Sequence, residues 1–269
     1  FFLLFKDFNV YIDKYIDTVK PELIITFIDN DIKFFSLKNR HRKIEILMIQ
    51  NGTRSYYGDI FEKLNKLNDK ILKEYKLDAF FTFGEYIGKH YAKFIKIDKL
   101  INFGSFANNS VKLDSLKTVK DRVVFISQWH YQLEKSLDPH CEKKIIKFIN
   151  SYCTKKNKKL NILLRSNNSD KLRLDEIKFF KNILGNKVIF IEKSISMNAY
   201  NICDSSELVV GIDSTLCYES LARKQKTAIF SIRGNSIGIE GYKFGWPRNF
   251  SDIGPFWCNF YDEKKITKI

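Results

Sequence analysis

Short runs of apolar and β-branched residues alternate along the chain with polar stretches of helical periodicity. In the first half, this pattern predicts strands at residues 23–28, 44–49, 79–83 and 100–103. Apolar positions near a 3.6-residue period predict a helix over residues 58–75, and a short helix begins near Tyr86. Alternating strands and helices are typical of βαβ units built on a parallel sheet.

The second half repeats this alternation more regularly. Its predicted strands are residues 122–127, 160–164, 188–191, 208–211 and 227–231. The predicted helices between them are residues 140–155, 175–184, 196–203 and 215–224. The polar segment 108–121 separates the two series, which places a domain boundary there. We therefore predict an α/β fold with two Rossmann-like domains, residues 1–110 and 111–269.

The start of the chain affects this picture. The first residue is Phe1, not an initiator Met, and the apolar opening segment 1–5 is too short for a membrane span or a signal peptide. We expect the sequence to begin inside a longer polypeptide. In that case the first Rossmann-like domain is incomplete.

The formal net charge of +15 narrows the class of partner. Such an excess favours nucleic acid, anionic lipid or an anionic substrate, and a solvated lysine-rich surface explains it equally well. No RGG repeat, zinc knuckle or RNP-like motif is present, so we expect no specific nucleic acid partner. The five cysteines show no C-x-x-C spacing, which argues against a zinc site or a disulfide framework and favours the cytoplasm.

The segment 207–226 carries the strongest candidate chemistry. It predicts a strand, then the turn formed by Asp213, Ser214 and Thr215, then a helix. Helix N-termini at the carboxyl ends of parallel strands bind phosphate. Glu219 lies one turn after Thr215 on the same face, where a carboxylate can accept hydrogen bonds from a ribose diol. Helix capping by Asp213 or Ser214, with Glu219 as a solvated acid, is the open alternative.

This segment resembles the donor-site helix of GT-B glycosyltransferases. There, a turn of small or hydroxyl residues holds the phosphate and a Glu four or five residues later holds the ribose. The wider chain resembles bacterial O-antigen and capsule biosynthesis proteins distantly related to Kdo transferases. The short matching pieces are Ile28-Asp29-Asn30, Gln50 to Arg54, Phe103-Gly104-Ser105, Phe125-Ile126-Ser127, Leu164-Arg165-Ser166, Asp213-Ser214-Thr215 and Phe244 to Pro247. The chain departs at Cys217 and Lys224, where such proteins commonly carry Gly.

The resemblance implies a metal-independent transfer of a sugar from a nucleotide-sugar donor, with CMP-linked sugars as the expected class, to a glycan or lipid-linked glycan acceptor. Residues 111–269 would bind the donor and residues 1–110 the acceptor, with the site in the cleft between them. The donor is a substrate, so no cofactor is expected. The basic surface favours a peripheral position at the inner face of the plasma membrane. Alternatives are a sugar-nucleotide epimerase, a polyol-phosphate transferase, or a non-catalytic basic nucleic-acid-binding protein.

Two further residues are candidate donor contacts. Arg165 follows the predicted strand 160–164, and its guanidinium fork suits a phosphate or an acidic sugar. Ser127 ends the first strand of the second half and can hydrogen-bond the donor. A surface salt bridge of Arg165 and a turn formed by Ser127 remain open.

Candidate cleft and acceptor residues follow strands of the first half. They are Asn30, Gln50, Asn51, Gly52, Arg54, Gly104 and Ser105. Asn-Gly favours positive φ and brings backbone amides near a ligand, although an ordinary turn explains the pair equally well. For Gly104 and Ser105 an ordinary loop is the alternative.

The acidic pair Asp29 and Asp31 follows the first predicted strand. Its D-x-D spacing resembles the metal motif of GT-A glycosyltransferases, but the second-half βαβ series favours the GT-B class, which usually needs no metal. We therefore predict that Asp29 is the general base that takes the proton of the acceptor hydroxyl. An acid that caps a turn is the alternative.

Overall fold

The computed structural model describes residues 8–56, 58–113, 118–129, 139–166, 171–193, 198–236, 238, 243–244 and 250–269. The chain forms two compact units, Phe1–Asn109 and Ser110–Ile269. Each unit contains one parallel sheet with helices between its strands. No helix within the described ranges combines the length and the apolar character that crossing a membrane requires.

The first unit contains a four-stranded parallel sheet in the order β1-β2-β3-β4. The strands are β1 (Leu23–Thr26), β2 (Glu45–Ile49), β3 (Lys76–Thr82) and β4 (Lys96–Asn102). The helices are α1 (Phe8–Val19), α2 (Leu37–Arg40), α3 (Ile60–Asn65), α4 (Asp69–Leu72), α5 (Glu85–Tyr91) and α6 (Phe106–Ser110), with a 3₁₀ turn at Ile32–Phe34. Because the strands are parallel, the residues that follow them lie at one edge of the sheet.

The predicted helix over residues 58–75 is wrong in its continuity. The structure has two short helices there, α3 and α4, because the Asn68 side chain accepts a hydrogen bond from the Ile71 N–H over 3.0 Å and so caps a new helix. Helices α1, α2 and α6 were not predicted. α6 begins inside the sequence that ends the first unit, where isolated polar residues obscure a helical period.

The second unit contains a five-stranded parallel sheet in the order β7-β6-β5-β8-β9. The strands are β5 (Val119–Ile126), β6 (Lys159–Leu163), β7 (Ile189–Ile191), β8 (Ser206–Gly211) and β9 (Thr227–Ile229). The helices are α7 (Pro139–Lys155), α8 (Arg173–Leu184), α9 (Ala199–Asp204), α10 (Thr215–Ala222), α11 (Arg233–Ser236) and α12 (Glu263–Ile266). All nine strands predicted from the sequence are therefore confirmed, with shifted ends.

Alternate residues of β5 bury both faces of the second sheet. Val123 and Phe125 pack in one apolar cluster, and Val124 and Ile126 pack in another. A strand covered on both faces reads as a continuous apolar run, which is why the sequence pattern identified it. The sheet thus has two apolar cores, one on each face.

Candidate functional site

The second sheet changes its direction of winding between β5 and β8. From β5 the chain runs outward through β6 to β7, and it then returns to place β8 on the other side of β5. Such a switch leaves a crevice beyond the carboxyl ends of the two strands, where ligands bind. Gln128 follows β5, and its side-chain oxygen accepts a hydrogen bond from the Asp213 N–H over 3.3 Å. The two loops therefore meet at the switch point.

Helix α10 begins at this crevice. Ser214 is its N-cap residue, with extended backbone, and its hydroxyl makes no capping hydrogen bond. Ser214 and Thr215 are both half-buried. The first-turn N–H groups and the helix dipole favour an anion at this position. The sequence alternative of side-chain capping by Ser214 is therefore wrong.

Glu219 lies one turn along α10 and is 8% exposed. A glutamate with this little contact with water is not the solvated acid of the alternative interpretation. Its predicted contact with a ribose stays a prediction.

Asp213 forms an ion pair that sequence reasoning missed. Arg233, which follows β9 and begins α11, lies 3.3 Å from the Asp213 carboxylate and is 6% exposed. Burial raises the pKa of Asp213, and the charge of Arg233 partly opposes this rise. The only sequence signal for Arg233 was its position directly after the apolar run 227–232. Asp213 and Arg233 thus place one charge pair, with a buried guanidinium and a half-buried carboxylate, at the crevice.

Glu142 is a second acid at the crevice that the sequence did not reveal. It lies in the first turn of α7 and is 5% exposed. Burial raises its pKa to about 7; the charge of Arg233 and the Gln128 backbone N–H lower it, and the charges of Asp213 and Glu176 raise it. Its Oε1 atom has no hydrogen-bond partner within the described part of the chain.

Glu176 in the first turn of α8 connects the ends of β5 and β6. Its carboxylate accepts hydrogen bonds from the Ser127 hydroxyl (2.5 Å), the Arg165 N–H (2.9 Å), the Ser166 N–H (3.0 Å) and the Ser166 hydroxyl (2.5 Å). Ser127 also accepts from the Trp129 N–H over 3.2 Å. The Ser127 proton is therefore engaged by Glu176, and its predicted donor contact stays a prediction.

The Arg165 side chain is exposed beyond the end of β6. Its carbonyl accepts a hydrogen bond from the Lys193 ammonium over 3.1 Å. Its guanidinium has no ion pair with any described residue, so the salt bridge that was its sequence alternative is not formed there. Burial lowers the pKa of Lys193, while the charge of Glu176 opposes this change. Arg165 thus presents its charge at the edge where the switch point lies.

In the first unit, Asp29 is fully buried and paired with Arg54. The Arg54 Nε donates to Asp29 Oδ2 over 2.7 Å, and a second guanidinium nitrogen donates to Oδ1. The Asn51 N–H and the Tyr91 hydroxyl also donate to this carboxylate, over 3.2 and 3.0 Å. Burial opposes the charge of Arg54, but Asp29 outweighs it and raises the Arg54 pKa.

These contacts give Asp29 and Arg54 a structural role. They hold the 51–54 loop to the end of β1 through one buried bidentate pair. All the lone pairs that a general base needs are occupied in this geometry, and the general-base role of Asp29 stays a prediction. Asp31 accepts from the Lys33 N–H over 3.1 Å, so the two acids of the D-x-D spacing serve different partners.

Gln50 braces the turn that follows β2. It is 3% exposed, its amide donates to the Gly52 carbonyl over 2.9 Å, and its oxygen accepts from the Phe83 N–H over 2.8 Å. Asn51 stays exposed and Gly52 is half-buried. The structure therefore brings Gln50, Asn51, Gly52, Arg54 and Asp29 together.

The other predicted residues of the first unit also follow strands at the carboxyl edge of the sheet, but their contacts are local. Gly104 follows β4 with φ +81°, and its N–H donates to the Thr82 carbonyl over 3.1 Å. Ser105 precedes α6, and its hydroxyl accepts from the Asn108 N–H over 3.2 Å. Asn30 is exposed. Their acceptor contacts stay predictions.

Comparison with known proteins gives the family. A family model described as "putative O-antigen biosynthesis protein" matches residues 47–269. The chain belongs to this O-antigen biosynthesis family. A search of curated proteins finds no match.

Solved structures share the fold of this O-antigen biosynthesis family member. A "putative UDP-N-acetylglucosamine 2-epimerase" from Listeria monocytogenes matches with TM-score 0.58 and 11% identity over 86% of this chain and 63% of that one. The UDP-GlcNAc 2-epimerase of Methanocaldococcus jannaschii, solved with UDP-GlcNAc and UDP, gives 0.54 and 15% over 87% and 67%. The spinosyn rhamnosyltransferase SpnG, solved with thymidine diphosphate, gives 0.50 and 9% over 82% and 57%.

These identities establish the fold alone. The chain covers less than two thirds of the Listeria structure and of the rhamnosyltransferase. The two parallel sheets and these neighbours confirm the predicted GT-B-like fold with two Rossmann-like units.

The structure also explains the two positions where the chain departs from its family pattern. Cys217 is fully buried and packs its sulfur directly over Gly211, which has no side chain to obstruct it. Lys224 has φ +65°, the left-handed conformation that glycine adopts without strain. The helix α10 is thus retained with both departures. Residues 245–247 of the final matching piece lie outside the described residues.

Proposed function

We propose that this O-antigen family member transfers a sugar from a nucleotide-sugar donor to a surface glycan acceptor. Family membership and the GT-B-like fold support the use of a sugar nucleotide. The M. jannaschii epimerase and the rhamnosyltransferase were solved with UDP-GlcNAc and UDP, and with thymidine diphosphate, respectively.

The observation that carries the proposal is the start of α10 at the switch point of the second sheet. The donor phosphate lies against the first turn of this helix, beside the hydroxyls of Ser214 and Thr215. The ribose contacts Glu219, which is buried one turn further along. Arg165 contacts the remaining anionic part of the donor. CMP-linked sugars are the proposed donor class.

The proposed chemistry needs no metal. The acceptor oxygen bonds to the anomeric carbon while the bond from that carbon to the phosphate oxygen breaks. The nucleotide leaves with the electron pair, and helix N–H groups stabilise the negative charge on its phosphate. The acceptor proton passes to a base, for which Asp29 is the candidate once Arg54 releases it.

Because the proposed chemistry uses no metal, chelation of divalent ions with EDTA should leave the rate of transfer unchanged. A loss of activity that Mg²⁺ restores would contradict this.

We place this reaction in the cytoplasm, at the inner face of the plasma membrane, where a lipid-linked acceptor is accessible. The net charge of +15 supports a peripheral position on anionic lipid.

A thermal-shift screen with CMP, UDP, GDP and dTDP tests the donor site. A ligand that binds only the folded state raises Tm, and we expect CMP or another of these nucleotides to do so. Ser214→Ala and Glu219→Ala should each reduce the rise in Tm by at least half, because each removes a side chain that forms a hydrogen bond with the nucleotide. If both variants show the same rise in Tm as the parent protein, the nucleotide binds elsewhere.

Two matched controls accompany these variants. Ser151→Ala changes an exposed serine of α7, and Glu192→Ala changes a glutamate that is 66% exposed. Both should leave the ligand-induced shift of the parent protein intact. A general loss of Tm in all four variants would show that stability, not binding, was measured.

The second candidate is a sugar-nucleotide 2-epimerase, which the two epimerase structures favour. Product analysis separates the two functions. A transferase releases nucleotide in proportion to an acceptor that gains the sugar. An epimerase changes the sugar configuration without any acceptor.

A further inference from the structure

The switch point of the second sheet contains a buried acid that the proposed transfer has not used. Glu142 projects from the first turn of α7 and is 5% exposed. The Gln128 backbone N–H donates a hydrogen bond to the Glu142 carboxyl group, but the Oε1 atom has no hydrogen-bond partner among the described residues. Because a buried polar oxygen without a hydrogen bond destabilises the folded protein, such a group in a ligand crevice calls for an explanation.

The charges around Glu142 explain why one of its oxygens has no partner in the protein. The charged groups that act on it from neighbouring elements are Arg233 of α11, Asp213 after β8 and Glu176 of α8. Asp213 already lies 3.3 Å from Arg233. Glu176 already accepts four hydrogen bonds from the ends of β5 and β6. An ionised Glu142 would therefore face the charges of two other carboxylates and of one guanidinium.

A nucleotide donor brings one or two more negative charges to the same crevice. Three carboxylates would repel it, whereas a neutral Glu142 removes one repelling charge and supplies an O–H donor. We propose that Glu142 binds the donor as the neutral acid, with its unpaired oxygen carrying the proton that is donated to the phosphate anion. Donor binding at α10 therefore takes up a proton when Glu142 is ionised beforehand.

This inference rests on the proposed nucleotide-sugar site and adds a donor-binding residue to it. Burial raises the pKa of Glu142 to about 7, so the free protein is divided between both forms near neutral pH. About nine tenths of the molecules carry the proton at pH 6 and about one tenth at pH 8. If only the protonated form binds, Kd should be about tenfold larger at pH 8 than at pH 6.

Isothermal titration calorimetry with UDP-N-acetylglucosamine and with a CMP-linked sugar tests this. The phosphodiester groups of both probes keep a constant charge between pH 6 and pH 8, so the ligand itself contributes no pH dependence. Titration at pH 8 in two buffers of different ionisation enthalpy should show uptake of close to one proton per bound ligand. Constant affinity and no proton uptake would overturn the role of Glu142.

Glu142→Gln is the decisive variant, because glutamine imitates the neutral acid. It should bind with the wild-type pH 6 affinity at both pH values and without proton uptake. Glu192→Gln, which neutralises an exposed glutamate, should keep the tenfold dependence. A dependence that survives in Glu142→Gln would come from another group and would overturn the inference.

Unfolding without ligand provides an independent measurement. A carboxyl group whose pKa rises from 4.5 to about 7 on folding stabilises the folded state less as pH increases through that interval. Glu142→Gln should therefore gain more Tm relative to wild type at pH 8 than at pH 6. An equal difference at the two pH values would show that Glu142 is not held neutral.

The calorimetry also separates this inference from the function on which it rests. If wild-type protein binds neither probe at pH 6 or pH 8, the proposed donor site is wrong, and the Glu142 inference falls with it. If a probe binds equally well at both pH values, the donor site stands and only the Glu142 inference is wrong.

Discussion

Lys224 ends helix α10 in a conformation that costs free energy. Its N–H donates to the Leu221 carbonyl, and the Gln225 N–H donates to the Ser220 carbonyl, both over 2.9 Å. These two bonds are a Schellman motif, whose C′ residue is left-handed and usually glycine. Lys224 has φ +65° there. A side chain in this region costs roughly 1–2 kcal/mol.

Lys224→Gly should therefore stabilise the protein. The relief of backbone strain exceeds the added entropy of the unfolded chain, and we expect a gain of about 0.5–1 kcal/mol in the free energy of unfolding. Urea denaturation measures it. Asn157→Gly is the matched control, because Asn157 ends α7 in the same motif with φ +53° and asparagine tolerates that conformation better. A loss of stability in Lys224→Gly would contradict the strain.

At the scale of elements, the donor-site helix and its strand approach each other at one contact. A Cβ atom placed on Gly211 of β8 would lie 2.3 Å from the Cys217 sulfur of α10. That distance is far inside van der Waals contact, so one of the two elements must move if any side chain is added. Gly211 thus sets the position of α10 relative to the crevice.

Gly211→Ala should destabilise the protein by about 1–3 kcal/mol, as expected for overpacking of a core. It should also reduce the nucleotide-induced rise in Tm, because the start of α10 shifts. Cys217→Ala in the same chain removes the sulfur and should restore most of both losses. Chemical denaturation of the two single variants and the double variant measures this coupling, and strict additivity would rule out the clash.

The elements were largely predictable from sequence, whereas the contacts between them were not. Apolar runs such as residues 123–126 identify buried strands, since local composition alone decides them. The turn at Asp213 was predicted because its chemistry is contiguous in the chain. Glu142 and Arg233 were missed because only the sheet order brings them to Asp213. Asp29 was predicted as a general base, and its pairing with Arg54 was missed because it depends on how two loops fold together.

At the scale of the whole molecule, the excess positive charge has a local concentration. A groove of about 500 Å³ between α7 and α8 is lined by three lysines, Lys143, Lys147 and Lys178, and by one acid, Asp175, together with Trp129 and Phe179. None of the three lysines has an ion pair within the described part of the chain. Three ammonium groups against one carboxylate leave the groove with a net positive charge, which attracts anionic surfaces.

We expect binding to vesicles that contain anionic phospholipid, decreasing as salt increases. The variant Lys143→Glu, Lys147→Glu, Lys178→Glu should lower the partition coefficient by more than about tenfold, since each lysine near such a surface contributes about 1 kcal/mol. Sedimentation with vesicles measures it. The control changes three exposed lysines of the first unit, Lys63, Lys70 and Lys73, to Glu and so alters net charge equally. Equal losses in the two variants would assign the binding to total charge.

The strand order of the second sheet has a consequence for synthesis of the chain on the ribosome. β5 and β8 are neighbours in space, yet α7, β6, α8, β7 and α9 all separate them in the sequence. The nascent chain can assemble β5, β6 and β7 early, but β5 stays without a partner on one side until β8 emerges. Translation that stops before Ser206 therefore leaves a half-sheet with an open hydrogen-bonding edge, the kind of surface that chaperones capture and that aggregates when they do not.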